Sequence, residues 1–545
     1  MESLMLPPGF NQKRFDAVLA QFREAIGTDW VFSSEEDLNT YRDFYSPYWG
    51  EDKELRASAG VAPASVEEVQ KIVRIANETG VPIYPVSTGR NLGYGGSAPN
   101  MSGSVVVDLK RMNRILEVNE KRHFVLVEPG VSYFDLYRHL RDTGSKLWID
   151  CPDPAWGSLI GNSLDRGVGY TYAHLRDHFA AHCGMEVVLP NGEVMRTGMG
   201  ARDGTKTWQD FRWGFGPYID GMFSQGNYGI VTKMGFWLTP EPEAGLSVSV
   251  VAPKYHDIIP LTDITLQLEN VGVITGQVSI SSPLLGAFRA KPDKAMRELI
   301  AKKGGGTPAE FEQIANGQAY WHQRITFLGP KKVIEAQWEY AQRQFAAISG
   351  VKYLNLQHYD FPISMEQFAG LKPDFDSDRP SFFGIPTLEG FMLGTRSETN
   401  PTPTHGHCWL APSITRDGEE LIKAQNILQR GLLDYGIDTG DNAPVPIPYT
   451  RYYQFFLPFF ISDDPAANAK MREGMVRIID LGAEHGWLEY RAHPIFQDQI
   501  MGQYNFNNNV LQRFHETLKD AIDPKGTISP GRYAIWPKAM RKGRA

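Results

Sequence analysis

The chain has 545 residues, of which 42% are hydrophobic and 22% are charged, and its formal net charge is -8. A chain of this kind can form two or more globular domains, and its acidic balance gives no electrostatic basis for binding nucleic acid or an anionic membrane. The sequence contains no run of about 18 apolar residues and no apolar stretch of a signal peptide at its start, so a cytoplasmic protein without membrane partners is expected.

The first part of the chain combines helix and strand patterns. Ser65 and Glu68 have the spacing of a capping box, apolar residues recur at helical spacing after them, and Gly80 follows, which predicts an amphipathic helix over 65–80. A second capped helix is predicted to begin at Ser132. The remaining predictions are strands at 81–86, 103–109, 123–131 and 229–238, and a hairpin around Asn191-Gly192.

The composition changes after about residue 242, at PEPEAG, and a second set of elements follows. The predicted elements are strands in SVSVVAP, VITGQVSIS, HGHCWLAPSI and RYYQFFLPFF, and helices at 331–350, at 418–436 and in MREGMVRIIDLGAEHG. The tail DPKGTISPGRYAIW is predicted to return to the first domain. These elements indicate an α+β protein.

The three cysteines are Cys151, Cys183 and Cys408. They are too few and too scattered for a disulfide framework, and no CxxC pair is present to bind a metal. We therefore expect reduced thiols.

A glycine-rich segment, PVSTGRNLGYGG at residues 85–96, follows a predicted strand. Gly93, Gly95 and Ala98 match the dinucleotide pattern G-x-G-x-x-A, but the next residues lead into another strand instead of a helix, which excludes a Rossmann turn. Consecutive backbone N–H groups in such a turn can nevertheless bind an anion. This loop alone is consistent with a nucleotide diphosphate or with a purely structural turn.

Two further polar, glycine-bearing loops lie at 150–171 (DCPDPAWGSLIGNSLDRGVGYT) and at 224–233 (SQGNYGIVTK), and the first of these has little helical periodicity. Three such loops in one chain favour a single extended ligand over three separate structural turns.

Seven motifs follow one another in the order of a known family: PVSTGRNLGYGG, VEPGV, LWIDCPDPAWGSLIGN, RGVGYT, GMEVVLPNGEV, SQGNYGIVTK and DPKGTISPGR. Over almost its whole length the chain resembles the vanillyl-alcohol oxidase flavoprotein family, in particular the 4-alkylphenol branch that includes vanillyl alcohol, eugenol and 4-ethylphenol oxidases. The resemblance implies a two-domain FAD-linked oxidase fold. Residues 1–242 would form a PCMH-type FAD-binding domain, residues 243–485 a cap, and residues 486–545 a segment that returns to the FAD domain.

The resemblance also implies FAD contacts, at Ser87, Thr88, Gly89, Arg90, Asn91, Ser158, Gly161, Asn162, Ile230 and Arg532. His407 stands where the family's oxidases have a histidine bonded to the flavin 8α-methyl, whereas 4-cresol-type dehydrogenases link through tyrosine, so a covalent 8α-histidyl FAD is expected. Such a bond raises the reduction potential of the flavin. By itself the pattern H-x-H-C also fits a packed strand residue, or a metal site with His405 and Cys408, although no nearby carboxylate or CxxC completes a zinc set.

Tyr94, Tyr490 and Arg491 match the family's phenol-binding residues. Two hydroxyls and a permanent cation can stabilise a phenolate, which pushes electrons toward the para position. The resemblance then implies that hydride leaves the benzylic carbon for flavin N5 and that a para-quinone methide forms.

Asp153 matches the aspartate that the family places beside flavin N5, where a carboxylate can stabilise developing charge and act as a base for water. The alternative for Asp153 is a turn cap before Pro154. We expect a supporting hydrogen-bond role for the neighbouring Asp150.

Tyr170, Trp409 and Phe455 are expected to line the substrate pocket. Trp409 lies two residues beyond His407 and shares its strand face. Together with the run Tyr452, Tyr453, Phe455 and Phe456, it suggests a crowded pocket that favours short 4-alkylphenols, although aromatic residues on such strands also commonly form the core.

The function that follows from this resemblance is oxidation of para-substituted phenols. O2 would be reduced to H2O2, and the quinone methide would add water or lose a proton to give an alkene. We expect a homodimer. The alternatives are a dehydrogenase that passes electrons to a cytochrome, a carbohydrate or hydroxy-acid oxidase of the same fold, and a non-catalytic protein that binds metal through HGHC.

Overall fold

A computed structural model of the chain describes residues 5–285, 294–302, 305–316, 319–370, 378–388, 406–437, 444–449, 451–462 and 464–541. The strands up to residue 240 are β1 (Val31–Phe32), β2 (Ala59–Val61), β3 (Ile83–Val86), β4 (Val105–Asp108), β5 (Ile115–Asn119), β6 (Phe124–Val127), β7 (Leu147–Trp148), β8 (His182–Val188), β9 (Val194–Arg196), β10 (Ile230–Trp237) and β11 (Thr239–Pro240). The α-helices in this part are α1 (Gln12–Ile26), α2 (Glu35–Asn39), α3 (Val66–Thr79), α4 (Tyr133–Asp142) and α5 (Leu159–Leu164).

The strands of the remaining chain are β12 (Ala244–Ala252), β13 (Val278–Ser281), β14 (Trp321–Gly329), β15 (Lys352–Asp360), β16 (His407–Leu410), β17 (Pro412–Thr415), β18 (Val445–Pro448), β19 (Tyr452–Phe460) and β20 (Leu488–Glu489). Its α-helices are α6 (Ile258–Asn270), α7 (Lys294–Ala301), α8 (Pro308–Ala315), α9 (Lys331–Phe345), α10 (Met365–Gly370), α11 (Gly418–Asp434), α12 (Pro465–Glu484), α13 (Gln497–Gln503), α14 (Phe506–Ile522) and α15 (Lys538–Arg541).

The first sheet has the strand order β1-β2-β4-β3, and β4 pairs in parallel with both β2 and β3. Helix α3 packs beside it through a buried apolar stripe, as its sequence periodicity predicts. Ser65 Oγ accepts a hydrogen bond from Glu68 N at 3.3 Å, and Gly80 ends the helix in the left-handed conformation. The reciprocal half of the capping box is shifted, because the Glu68 carboxylate accepts from Ala64 N instead of Ser65 N.

The second sheet is antiparallel, with the order β5-β6-β10-β8-β9. Strands β8 and β9 form the predicted hairpin, in which Val188 lies opposite Val194 and Gly192 has a φ of 82°. Helix α4 begins where predicted, because Ser132 and Asp135 form a complete capping box. The glycine-rich loop after β3 leads into β4, in agreement with the exclusion of a Rossmann turn.

The segment 150–171 differs from its prediction, because residues Leu159–Leu164 form helix α5. Ser158 Oγ accepts a hydrogen bond from Gly161 N at 2.9 Å, and Leu159 and Ile160 are buried in the core of the second sheet. This local cap and the tertiary burial stabilise one short helix despite the absence of a periodic apolar pattern.

Two further antiparallel sheets form the part of the chain after residue 243. One has the order β13-β14-β12-β15, and the other has the order β16-β19-β17-β20 with β18 paired to β19. Their inner faces and helices α6, α9, α11 and α12 share one buried apolar cluster. This cluster supports strand β16, which carries two of the predicted site residues.

The C-terminal tail lies beside the first sheet. Ile83 N donates to Thr527 O and Ser529 N donates to Ile83 O, both at 2.8 Å, so the tail extends the sheet beside β3. Lys519 anchors this tail from inside, since its fully buried ammonium group donates to Asp523 Oδ2 at 2.7 Å and to Asn227 O at 2.6 Å.

The three cysteines are buried, and none of them forms a disulfide, which agrees with the expected free thiols. Burial raises the pKa of the Cys183 thiol to about 12. Among the helices described here, none is both long and apolar enough to cross a membrane.

Replacing Lys519 with Met should destabilise the fold strongly. The change leaves the buried Asp523 carboxylate without its cation, and breaking a buried pair in this way costs about 3–5 kcal/mol. Denaturant unfolding should show this loss of stability. The matched control is Lys525→Met, because Lys525 is exposed and its ammonium group donates a hydrogen bond to Asn77 O at the surface. Equal stability of the two variants would contradict the anchoring role of Lys519.

Candidate active site

One cavity of about 300 Å³ is lined by residues from both sets of sheets and from the C-terminal tail. Most of the site residues predicted from sequence lie in its wall: Ser87, Thr88, Gly89, Arg90, Asn91, Tyr94, Asp153, Ser158, Gly161, Asn162, Tyr170, Ile230, His407, Trp409, Arg491 and Arg532. Tyr490 and Phe455 were expected there and do not belong to this wall. The fold therefore brings together residues that are up to 445 positions apart, from Ser87 to Arg532.

Part of this cavity is a cradle of backbone from two loops. Gly89 has a φ of 67°, and a Cβ built on Gly161 would lie 2.2 Å from Ser87 Oγ. Gly161 thus leaves room for the Ser87 side chain, and the positive φ of Gly89 favours glycine at that position. The guanidinium of Arg90 lies 3.9 Å from the centroid of the Trp156 ring, which joins the two loops.

Asp150 is buried, and both of its carboxylate oxygens have hydrogen-bond partners. Its Oδ1 accepts from Thr171 N at 2.8 Å and from Tyr172 N at 2.6 Å, while its Oδ2 lies 2.9 Å from His178 Nε2. His178 Nδ1 in turn lies 2.5 Å from Asn162 Oδ1. Asp150 thus supports the cavity wall through His178, a residue that no sequence pattern identified.

Asp153 lies in the cavity wall and forms an ion pair with Arg379. Arg379 Nη1 donates to Asp153 Oδ2 at 3.3 Å, and the two side chains are 8% and 1% exposed, respectively. Arg379 was missed by sequence reasoning, because it follows no motif and its partner is 226 residues away. The pair holds a buried carboxylate in place at the cavity.

The three predicted phenol-binding residues form one cluster. The guanidinium carbon of Arg491 lies 4.0 Å from the ring centroid of Tyr94 and 5.5 Å from that of Tyr490. Both tyrosine hydroxyls are buried, and the Tyr94 hydroxyl lies beside the Arg491 guanidinium. Tyr490 packs behind the wall, in an apolar cluster with Tyr170 and Trp409.

Burial and the neighbouring charge decide the ionisation of this cluster. Burial raises the pKa of both Tyr94 and Tyr490 above the ordinary value for a phenol, and the nearby Arg491 lowers it only in part. Burial alone would lower the pKa of Arg491, but Tyr490, Tyr94 and Asp165 hold it well above its ordinary value. The cluster therefore presents a permanent cation beside two neutral hydroxyls.

Asp165 also lies in the cavity wall, although no sequence pattern pointed to it. Its Oδ2 accepts from Asn91 Nδ2 at 2.8 Å, and its Oδ1 accepts from Arg532 Nη2 at 3.2 Å and from the hydroxyl of Tyr533. Arg491 Nη1 lies 3.8 Å from the same carboxylate. Asp165 therefore contacts both Arg491 and Arg532.

Strand β16 presents His407 and Trp409 to the cavity from one face, as strand alternation predicts. Their ring centroids are 4.5 Å apart, and the intervening Cys408 points to the opposite, buried side. A Cβ on Gly93 would lie 2.5 Å from Trp409 Cδ1 and 3.2 Å from His407 Cδ2. The glycine at position 93 thus allows the loop after β3 to touch this strand.

Phe455 is a correction to the sequence prediction. It is fully buried in the apolar cluster of the second set of sheets, whereas Phe456 lies in the cavity wall, 5.8 Å from Trp409 between ring centroids. The reason is register. Trp409 lies opposite Pro458 on β19, and Phe456, two residues from Pro458, shares that face, so Phe455 must point the other way.

Glu489, next to Tyr490, is a further residue that sequence reasoning missed. Its side chain is buried, and its Oε2 accepts from Ala411 N at 2.5 Å, which ties β20 to the bend between β16 and β17. Burial raises the pKa of Glu489 to about 8, although the hydrogen bond from Ala411 opposes this shift.

The metal alternative involves His405, which lies outside the described residues. Within the part of the chain that the structure describes, no three His, Cys, Asp or Glu side chains converge as a metal site.

Comparison with known proteins identifies the family. A family model described as "FAD binding domain" matches residues 57–198. The chain is 32% identical to the flavoprotein subunit of 4-cresol dehydrogenase [hydroxylating] from Pseudomonas putida, over 97% of this chain and 98% of the relative. The chain belongs to this family of FAD-linked flavoproteins. It is a flavin-dependent oxidoreductase.

Two solved structures confirm the predicted fold class. The 4-ethylphenol oxidase from Gulosibacter chungangensis, in its isoeugenol complex, is 34% identical with a TM-score of 0.84, over 98% of this chain and 100% of that one. The p-cresol methylhydroxylase with substrate bound is 30% identical with a TM-score of 0.82, over 98% of this chain and 99% of that one. The flavoprotein therefore has the two-domain PCMH-type FAD-binding fold.

Replacing Glu489 with Gln should change how stability depends on pH. The carboxyl pKa is 4.5 in the unfolded reference and about 8 in the folded protein, so the folded state holds a proton that the unfolded chain releases. The stability contributed by neutral Glu489 is complete below pH 4.5 and is lost as the pH rises through about 8.

Native protein should therefore lose stability relative to Glu489→Gln between pH 5 and pH 8, by an amount on the order of a few kcal/mol. Denaturant midpoints of both proteins at the two pH values measure this change. The exposed Glu339, changed to Gln, serves as the control and should follow native protein. A constant difference between native protein and the Glu489 variant across this range would contradict the buried, protonated state of Glu489.

Proposed function

We propose that this flavoprotein oxidises para-substituted phenols, with short 4-alkylphenols preferred. The observation that carries the proposal is the Arg491 guanidinium and Tyr94 in the same cavity as the carboxylate of Asp153, with Tyr490 packed beside Arg491 behind the cavity wall. Two solved relatives of at least 30% identity are a 4-ethylphenol oxidase and a p-cresol methylhydroxylase, which supports the same substrate class.

The residues in the cavity fit FAD. The loop Ser87–Asn91 and the beginning of α5 offer a glycine cradle of the kind that binds a diphosphate, and Arg532 supplies a cation from the tail. We assign the remaining dinucleotide contacts to Asn162 and Ile230. FAD, when bound, accepts a hydride at N5 and passes its electrons to an acceptor. In this arrangement residues 1–242 and 486–545 hold the cofactor, and residues 243–485 form the cap.

The chemistry of the substrate follows from the charge of the cluster. A phenol whose oxygen lies between Tyr94, Tyr490 and Arg491 accepts hydrogen bonds from both hydroxyls and gains a neighbouring cation, all of which favour its ionised form. An ionised oxygen releases electron density toward the para carbon, so loss of hydride from the benzylic position leaves a neutral para-quinone methide. The protein thus assists the reaction at the end of the substrate opposite to the bond that breaks.

Asp153 is suited to the next step. Its carboxylate can accept a proton from a water molecule that adds to the benzylic carbon, and Arg379 holds it in position. A substrate with a longer side chain can instead lose a proton there and give an alkene.

The electron acceptor that we propose is O2, with H2O2 as product, and His407 is the proposed point of a covalent 8α-histidyl bond to FAD. His407 lies in the cavity wall beside Trp409, on a strand held by β19 and by the loop that carries Gly93. The second candidate is a dehydrogenase that needs a separate electron partner, because the relative from Pseudomonas putida is the flavoprotein subunit of a dehydrogenase.

Anaerobic mixing of the purified protein with 4-ethylphenol, followed by oxygenated buffer, tests substrate and acceptor together. We expect rapid bleaching of the yellow flavin absorbance, a transient quinone methide band, and fast reoxidation by O2. Bleaching with eugenol should be slower, because the Trp409 and Phe456 rings leave less room for the larger para substituent of that substrate.

Two variants sharpen this experiment. Arg491→Gln should slow bleaching about 100-fold or more, as expected for loss of a charge that stabilises the developing anion, whereas the exposed Arg513, changed to Gln, should leave it unchanged. Fast bleaching with slow reoxidation would establish the dehydrogenase. No bleaching with any 4-alkylphenol would overturn the proposed substrate class.

His407→Ala should release free FAD when the protein is denatured and filtered, while native protein keeps its flavin bound to the chain. Absorbance of the filtrate measures this difference. Cys408→Ala is the matched control, because Cys408 is the adjacent residue on the opposite face of β16, and this variant should retain the flavin. Free FAD from denatured native protein, or retained flavin in His407→Ala, would refute the bond.

A further inference from the structure

Asp165 joins three segments that are distant in the sequence. Asn91 comes from the loop after β3, Arg491 from the segment after β20, and Arg532 and Tyr533 from the tail, and all four contact this one carboxylate. The side chain of Asp165 is only 12% exposed. The carboxylate is therefore held in one place by two guanidinium groups, an amide and a phenol hydroxyl.

Three other acidic side chains near the cavity contact partners other than Arg491 and Arg532. Asp153 pairs with Arg379, and Asp43 lies 2.8 Å from His493. Glu489 accepts from a backbone amide on the cap side of Tyr490. The groups that face Arg491 are Tyr94, Tyr490 and Asp165, and those that face Arg532 are Tyr84, Tyr533 and Asp165. Asp165 is therefore the carboxylate shared by both cations.

The charges of this group sum to one positive charge. Arg491 and Arg532 contribute two cations, and the tyrosines that face them are neutral because burial raises the pKa of each. The carboxylate of Asp165 removes one of the two. A negative group 3.8 Å from the Arg491 guanidinium also weakens the attraction of that guanidinium for a second anion.

We propose that Asp165 is a positioning residue that acts as the shared counter-ion of Arg491 and Arg532, and that it sets the pH at which a bound phenol ionises. This inference rests on the phenol oxidation proposed above. Asp165 leaves this group of residues with a single net positive charge, and it fixes both guanidinium groups in one arrangement with the loop that carries Asn91.

The sign of the effect follows from Coulomb's law. Removing the negative charge of Asp165 leaves two uncompensated cations near the phenol oxygen, so the bound phenol should ionise at a lower pH. Removing the positive charge of Arg532 should have the opposite effect. One unit charge several ångströms away in a partly buried site shifts such an ionisation by about one to two pH units.

The test uses FAD-loaded protein and 4-nitrophenol, a para-substituted phenol that has no benzylic hydrogen to lose and whose phenolate absorbs visible light. Bound 4-nitrophenol is titrated with acid and base in native protein and in Asp165→Asn, which keeps the shape of the side chain and removes its charge. We expect the ionisation of the bound ligand to fall by about one pH unit or more in the variant. This spectrum reports ionisation without any turnover.

Two further variants separate charge from shape. Asp165→Glu keeps the charge and should leave the ionisation near the native value, although a longer side chain disturbs the packing more than Asn does. Arg532→Gln should raise the ionisation pH, and it gives the same test of charge if Asp165→Asn does not fold.

The outcomes distinguish this inference from the proposed function. Binding of 4-nitrophenol with the same ionisation in native protein, Asp165→Asn and Arg532→Gln would overturn the counter-ion role alone. Equal shifts in Asp165→Asn and Asp165→Glu would also overturn it, since they would reflect shape. Failure of native protein to bind 4-nitrophenol at any pH would overturn the phenol assignment itself.

Discussion

The cavity depends on glycines whose missing Cβ lets one backbone segment lie directly against the side chains of another. Gly161 lies against Ser87, and Gly93 lies against Trp409 and His407, at distances that a Cβ atom could not occupy. The loop after β3 can therefore touch the beginning of α5 on one side and strand β16 on the other. Because this same loop carries Tyr94, the proposed dinucleotide surface and the proposed phenol surface are parts of one backbone segment.

Buried charge imposes a second requirement, because an unpaired ion in such an environment is costly. The protein meets it with partners from distant segments: Arg379 for Asp153, and Asp165 for the guanidinium groups of Arg491 and Arg532. The Asp153–Arg379 pair joins the chain before residue 243 to the chain after it, and the Asp165–Arg532 pair needs the C-terminal tail beside β3. The electrostatics of the pocket are thus a product of the complete fold and not of any one loop.

Sequence patterns predicted the features that depend only on residues close together in the chain. The caps at Ser65 and Ser132, the turn at Gly192 and the strand alternation that places His407 and Trp409 on one face were all predicted from a few neighbouring residues. The family motifs located most of the cavity wall. Helix α5 was missed, because its stability comes from a single cap and from burial against the second sheet.

The side chains that were predicted wrongly or missed are all determined by contacts between distant parts of the chain. Whether Phe455 or Phe456 faces the cavity depends on the pairing of β19 with β16, which an aromatic run cannot reveal. Arg379 and Asp165 follow no pattern, since each is defined by a partner from another part of the chain. A sequence motif identifies the residues that meet a ligand more readily than the residues that hold them in place.

One part of the cavity wall is charged and the other is aromatic, and the two parts come from different segments of the chain. The charged groups come mainly from the loops before residue 243 and from the segment after β20, whereas strands β16 and β19 contribute the aromatic surface of Trp409 and Phe456. Arg379 is the exception, because it comes from the chain between β15 and β16 and pairs with Asp153. Under the proposed function, substitutions at the aromatic surface would alter the space for a para side chain without adding or removing a charge near the phenol oxygen. Size selection could then vary while the proposed ionisation of the substrate beside Arg491 is preserved.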